Sequence, residues 1–180
     1  MSTCEANGTT EPSPATAQGK TITLKSAEGE MFQVEEAVAM ELATVKNFFD
    51  DGTIDSDNAA AAVIPLPNVS AQPLSRIIVY CRKQVEFRGS AAPESEKRSF
   101  SDEFVKKLEL EEVRDLVLAA NYLNIPYLLD VLNQNVADRI QNKSVEFVRK
   151  FFGIENDFTP EEEQAVREQN AWAFEGVDQD

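Results

Sequence analysis

From Glu103 onward, apolar residues recur at intervals of three and four with almost no interruption, so the back part of the chain folds as a series of helices. Leu110, Val113, Leu116, Val117 and Ala120 form one stripe, and Leu128, Leu129, Leu132, Val136 and Ile140 form the next. Pro126 suits the first turn of the second helix, where its missing amide has no intrahelical partner. Ser144 opens a further helix carrying Val148, Phe151 and Phe152, which Gly153 stops. The front of the chain has a different period. Ile22, Leu24, Phe32 and Val34 alternate with Thr21, Thr23, Lys25 and Gln33 about Glu28 and Gly29, the pattern of a β-hairpin. Residues 63–66 fit a brief edge strand, where the missing amide of Pro65 is tolerated. Val38, Leu42, Val45, Phe48 and Phe49 suggest one or two short helices. Ser70 is placed to cap another, with Leu74, Ile77, Ile78, Cys81 and Val85 turned inward. The fold class is therefore α/β. Residues 1–19, small and polar, read as a disordered tail; 50–62 and 87–101 read as flexible loops, and 176–180 as an acidic tail.

Charge and composition then remove whole classes of function. The 180 residues carry 17 Lys and Arg against 32 Asp and Glu, a net charge of −15. That sign repels nucleic-acid phosphates and anionic lipid, so neither is an expected partner. The chain has no histidine and only two cysteines, Cys4 and Cys81, too few for a four-ligand zinc site or a histidine relay. No metal, cofactor or catalytic residue is expected, and Cys81, inside an apolar stripe, reads as a core residue. No run approaches the roughly 20 apolar residues that span a bilayer, and the start lacks a basic, apolar leader. An intracellular protein is expected.

The last helix is the feature most short of a structural explanation. Thr159, Pro160, Glu161 and Glu162 form a capping box with proline at the first helical position, so its start is well specified. Its body and the residues just after it offer only Val166, Trp172 and Phe174 as large apolar groups, too few to anchor it to its own domain. Phe151, Phe152, Ile154 and Phe158, together with Trp172, make an acid-rimmed apolar patch, the composition of a partner site. The plainer reading is that these rings close a small C-terminal core. Glu161, Glu162 and Glu163 fan out around a helix axis and are better explained by the helix dipole than as an acid–base pair.

Several segments, in register, carry a resemblance. KTITLKSAEGEMFQVEEAVA near the start, IPLPNV at 64–69, the YC pair at 80–81, AANYLNI at 119–125, NDFTPEEE at 156–163 and WAFE at 172–175 resemble the Skp adaptor family, most closely its plant members. That family supplies the linker subunit of SCF (Skp, cullin, F-box) ubiquitin ligases. The resemblance implies a BTB/POZ-type domain over 20–141, extended by F-box-binding helices over 142–175. It implies a non-enzymatic adaptor that bridges a cullin to F-box receptors for protein ubiquitination and degradation, located in nucleus and cytoplasm. A weak homodimer is implied when no F-box protein is present. Carried over by position, Asn121 and Tyr122 match the cullin-facing pair, while Leu129, Asn133, Val136, Phe152, Ile154, Asn156 and Trp172 match positions on or around the F-box.

The chain departs from the family pattern in places. Leu132 and Asn133 stand where plant members usually have Thr and Cys, and Arg139 where Met is usual; Asn133 falls on the expected F-box groove and is expected to alter or narrow the set of F-box partners. Phe100 replaces a common Trp, and Pro126 and Tyr127 follow AANYLNI in an uncommon form that is expected to be tolerated. The alternative function is another BTB-fold interaction scaffold, an elongin-C-like adaptor or a self-associating module.

Overall fold

The computed structural model describes residues 20–52 and 62–177, so the expected tail at 1–19, most of the loop at 50–62 and the last residues of the acidic tail lie outside the described residues. Strands β1 (Thr21–Lys25) and β2 (Met31–Glu35) form the hairpin, antiparallel, with Ile22 opposite Val34 and Leu24 opposite Phe32. Ile22, Leu24 and Val34 are fully buried, while Thr21, Lys25 and Met31 face water, the alternation of a sheet covered on one side. Gly29 closes the turn at φ +89°, a region that favours glycine. Strand β3 (Val63–Pro65) pairs parallel with β1, giving the order β2-β1-β3 and placing Pro65 on an edge.

Helices cover this small sheet. After α1 (Glu36–Ala39) and α2 (Ala43–Asp50) comes α3 (Ala71–Gly89), whose Leu74, Ile77, Ile78, Tyr80 and Cys81 join Ile22, Leu24 and Ile64 in one core. Then follow α4 (Glu94–Lys106), α5 (Leu110–Tyr122), α6 (Pro126–Ile140), α7 (Val145–Phe152) and α8 (Pro160–Gln169), with a 3-10 turn at Ala171–Phe174. Pro126 is at the first turn of α6, as its chemistry requires.

Two expectations are corrected. Residues 87–101 are not a flexible loop: α3 continues to Gly89 and α4 begins at Glu94, leaving only a short break in which Ala91 adopts φ +50°. The opening turns of α4 show water an entirely polar face, with Glu94 and Glu96 at the positive end of the helix, so no apolar periodicity announces them. Its inward residues come later. Phe100 and Phe104 pack around Tyr80, at ring-centroid distances of 5.5 and 4.9 Å, and Ser101 shares a 2.8 Å hydrogen bond with the Tyr80 hydroxyl. Phe100 thus supplies apolar bulk at the position where a Trp is common.

The second correction concerns the start of α3. Ser70 holds the capping position but makes no side-chain cap bond; the Glu28 carboxylate accepts the Ala71 amide instead, at 2.8 Å. A carboxylate there satisfies an orphan amide and meets the positive helix end. Hydrogen bonds from its own amide and from that of Ala71 hold Glu28 below the usual carboxylate range. The hairpin turn is thereby fastened to the central helix, and the Ala27 amide adds a bond to the Val69 carbonyl at 2.9 Å.

Tyr127 is more than tolerated. Its hydroxyl donates to Glu41 Oε2 at 3.1 Å and lies 3.4 Å from Cys81 Sγ, while Glu41 also pairs with Arg88. Loop, α3 and α6 meet at this cluster. Burial pushes the Cys81 thiol up to about 11, so the thiolate is scarcely populated at neutral pH.

Two outcomes follow from these contacts. Glu28→Gln is expected to lower the thermal unfolding midpoint modestly at neutral pH. The folded carboxyl titrates below its unfolded value, so the deficit relative to wild type is complete above the unfolded value and vanishes as pH falls through the folded one; melting curves from about pH 7 to about pH 3 check this. In a Cys4→Ser chain, Cys81 should react with a thiol reagent only as fast as the protein opens; rapid stoichiometric labelling of the native state would contradict the buried placement.

Candidate partner-binding surface

Helix α7 divides its aromatic residues between two environments. Ser144 caps it by accepting the Phe147 amide at 3.0 Å, which fixes the rotation of the eight residues that follow. Phe151 then faces inward and is buried, whereas its neighbour Phe152 is 43% exposed and meets it edge-on, with ring centroids 4.7 Å apart. Val145, Arg149 and Phe152 share the outward flank, at spacings of four and three. Gly153 ends the helix in the left-handed region, φ +65°, and the Ile154 amide returns to the Arg149 carbonyl at 2.8 Å. The chain therefore leaves α7 carrying Ile154 and Phe158 into water, 57% and 47% exposed.

Helix α8 is held by polar groups rather than by burial. Thr159 and Glu162 form the expected capping box: the Glu162 amide donates to Thr159 Oγ1 at 3.3 Å and the Thr159 amide to Glu162 Oε2 at 2.9 Å. Glu163 accepts from Arg149 Nη1 at 3.1 Å and from Asn156 Nδ2 at 3.2 Å, and Arg167 pairs with Glu146. The Arg149 hydrogen bond, with help from Asn156, keeps Glu163 below its ordinary range; the Thr159 amide does the same for Glu162. No residue of α8 is buried. Beneath it lies a cavity of about 60 Å³ lined by Val145, Arg149, Phe158, Glu163, Val166 and Phe174. Trp172 projects beyond, 75% exposed.

These placements put Phe152, Ile154, Phe158, Val166 and Trp172 on exposed positions of one C-terminal segment, with Asn156 bracing it: its Oδ1 accepts the Phe158 amide at 3.2 Å while its amide reaches Glu163. On α6, Leu129 and Val136 are half-buried and Asn133 is exposed, the three sharing a flank at spacings of four and three. Leu132 points to the core and is fully buried. Helix α5 packs against both α6 and α7. At the C-terminal end of α5, just before the turn into α6, Asn121 is exposed and Tyr122 half-buried.

Arg139 is spent elsewhere. Its guanidinium donates to the carbonyls of Val105 and Leu108, at 3.2 and 2.7 Å, capping the end of α4. Val145 is an exposed apolar residue of α7 that the sequence reading missed; the signal was present in its spacing of seven to Phe152, which marks a second apolar flank on α7 beside the one ending at Phe151.

Comparison with known proteins bears on what this surface is. Residues 20–86 match the profile described as "Skp1 family, tetramerisation domain", and residues 126–173 that described as "Skp1 family, dimerisation domain". The chain is 48% identical over 172 residues to SKP1-like protein 20 of Oryza sativa subsp. japonica, covering 86% of this chain and 94% of the relative. It is 45% identical over 163 residues to SKP1-like protein 1A of Arabidopsis thaliana, covering 87% and 98%. It is 47% identical over 154 residues to SKP1-like protein 14 of the same plant, covering 86% and 97%. The three-stranded sheet with its helices is accordingly a POZ-type domain, the exposed C-terminal face falls largely within the second profile, and the chain belongs to the Skp1 family.

Proposed function

We propose that the chain is the non-catalytic adaptor subunit of an SCF ubiquitin ligase, which bridges a cullin to F-box substrate receptors so that target proteins are ubiquitinated and degraded. The observation that carries this reading is the water-exposed apolar set Phe152, Ile154, Phe158, Val166 and Trp172, on a segment whose last helix buries nothing of its own. Apolar surface of this extent is the habit of an interface awaiting its partner. The F-box helices supply the missing cover, with Leu129, Asn133 and Val136 of α6 and Asn156 completing the contact. Arg139 takes no part in partner choice, since its head group is committed to α4; Asn133, exposed on the groove flank, is the departure that can narrow it.

The cullin is engaged through Asn121 and Tyr122 at the end of α5. A tyrosine offers a large, stiff contact area with a polar tip, suited to the centre of an interface. The carboxylates near the apolar face already have structural employment, Glu162 in the capping box and Glu163 with Arg149, which favours binding over chemistry. The protein acts in nucleus and cytoplasm. The description of residues 126–173 as a dimerisation domain favours one further behaviour: without a receptor, the same face closes weakly on a second copy.

Two experiments test the two contacts. Asn121→Lys with Tyr122→Lys should weaken cullin capture in a pull-down by about thirtyfold or more while F-box capture persists; undiminished cullin binding would remove the assignment. Deleting residues 159–180 should abolish F-box capture yet leave the thermal unfolding transition nearly unchanged, because α8 contributes no buried residue. A truncated chain that still co-purifies stoichiometrically with an F-box protein would contradict the reading.

A further inference from the structure

We propose that the seam between α4 and α6 receives a lysine or arginine side chain of the F-box receptor, at a place separate from the apolar contact; the inference rests on the adaptor reading above. Along that seam lies a cavity of about 290 Å³, lined by Asp102 and Val105 of α4 and by Asp130, Val131, Asn135 and Asp138 of α6. None of these residues belongs to the exposed C-terminal segment or to α5.

The lining is one-sided in charge. Three of its residues are aspartates, and no Lys or Arg is among them. Among the described residues the side chains of Asp102 and Asp130 have no hydrogen-bond or ion-pair partner, and Asp138 accepts from the neutral Gln134 side chain at 2.8 Å. Other carboxylates of the surface are matched by a cation, as Glu35 is by Arg82 and Glu163 by Arg149. A second observation points the same way. Asn135 Oδ1 is buried and has no donor, the one such side-chain atom among the described residues. A buried acceptor without a donor costs the free chain stability, so its place in this cavity calls for a donor brought from outside.

Shape and position identify the donor. Val105 is buried and Val131 half-buried, giving the cavity aliphatic walls beneath its acidic rim. A long basic side chain lays its methylene stem on apolar surface and carries its charge outward, and its several N–H groups serve Asn135 Oδ1 and the aspartates together. The walls are preformed, because Arg139 of α6 already holds the Val105 and Leu108 carbonyls, so little freedom is lost on binding. Asp130 stands three residues before Asn133 and four before Gln134, and therefore borders both the receptor flank of α6 and the cavity. A receptor seated on Leu129, Asn133 and Val136 has only to continue across α6 to place a basic side chain there.

The test measures the Kd of the full-length chain for a full-length plant F-box protein by calorimetry at low and at high salt, with Trp172→Ala as the control for the apolar face. Asp130→Asn with Asp138→Asn should raise the Kd about tenfold at low salt and flatten its salt dependence. Asn135→Leu should also raise the Kd about tenfold, yet leave the thermal midpoint of the free chain equal or higher, because it removes a buried acceptor that has no donor. A lower midpoint would mean that Asn135 is employed within the fold, and would overturn the inference. If Trp172→Ala loses the receptor while the aspartate and Asn135 variants bind within about twofold of wild type, the inference fails and the adaptor reading stands. If Trp172→Ala also binds as wild type does, both fail. Aspartate variants that alter only the self-association of the free chain in sedimentation would assign the cavity to a second copy and likewise overturn the inference.

Discussion

A helix that buries no side chain of its own has to be positioned by charge and hydrogen bonds, and α8 is such a helix. The Arg149–Glu163 and Arg167–Glu146 pairs, the Asn156 brace and the Thr159 capping box set its direction without covering its apolar residues. Ion pairs at a surface are worth little individually and are screened by salt. Their value here is geometric: they hold α8 near α7 while leaving Phe158, Val166 and Trp172 in water. A more apolar helix would have closed on its own domain, and the face would have been lost.

The rest of the molecule is a foundation for that open end. The sheet is only three strands wide and would be marginal alone. It is secured from above by α3, through the core shared by Ile22, Leu24, Ile64, Ile77 and Cys81, and from its turn by the Glu28 carboxylate at the helix start. The aromatic group around Tyr80 extends the core toward α4, and the Tyr127–Glu41 hydrogen bond ties α6 to the front of the chain. Rigidity built here passes through α5 to the C-terminal helices, because α5 touches α3, α6 and α7.

What could be read from the sequence was what local chemistry decides. The capping box at Thr159, the stop at Gly153, the proline at the start of α6 and the two-residue alternation of β1 and β2 each depend on a few neighbouring residues, and each is found where the sequence puts it. The opening of α4 was illegible because its first turns have no inward apolar residue, so nothing periodic appears before Phe100. Glu28 was read as a turn residue; its second role, capping a helix 43 positions away, exists only once the chain is folded. The C-terminal face was legible as a shortage of apolar cover but not in its division, since the sequence cannot tell which of Phe151 and Phe152 turns inward until the Ser144 cap fixes the rotation of α7. The roles of Asn121 and Tyr122 entered by resemblance, their spacing alone being silent on them.

Arg139 has a consequence of a different kind. Helices ordinarily fray at their carboxyl ends, where the last carbonyls lack amide partners. At the end of α4 a side chain from α6 clasps the Val105 carbonyl in the last turn and the Leu108 carbonyl just beyond it. Unwinding one helix there means releasing the other, so the flank of α6 that carries Asn133 and Val136 borrows its steadiness from the helix standing behind it.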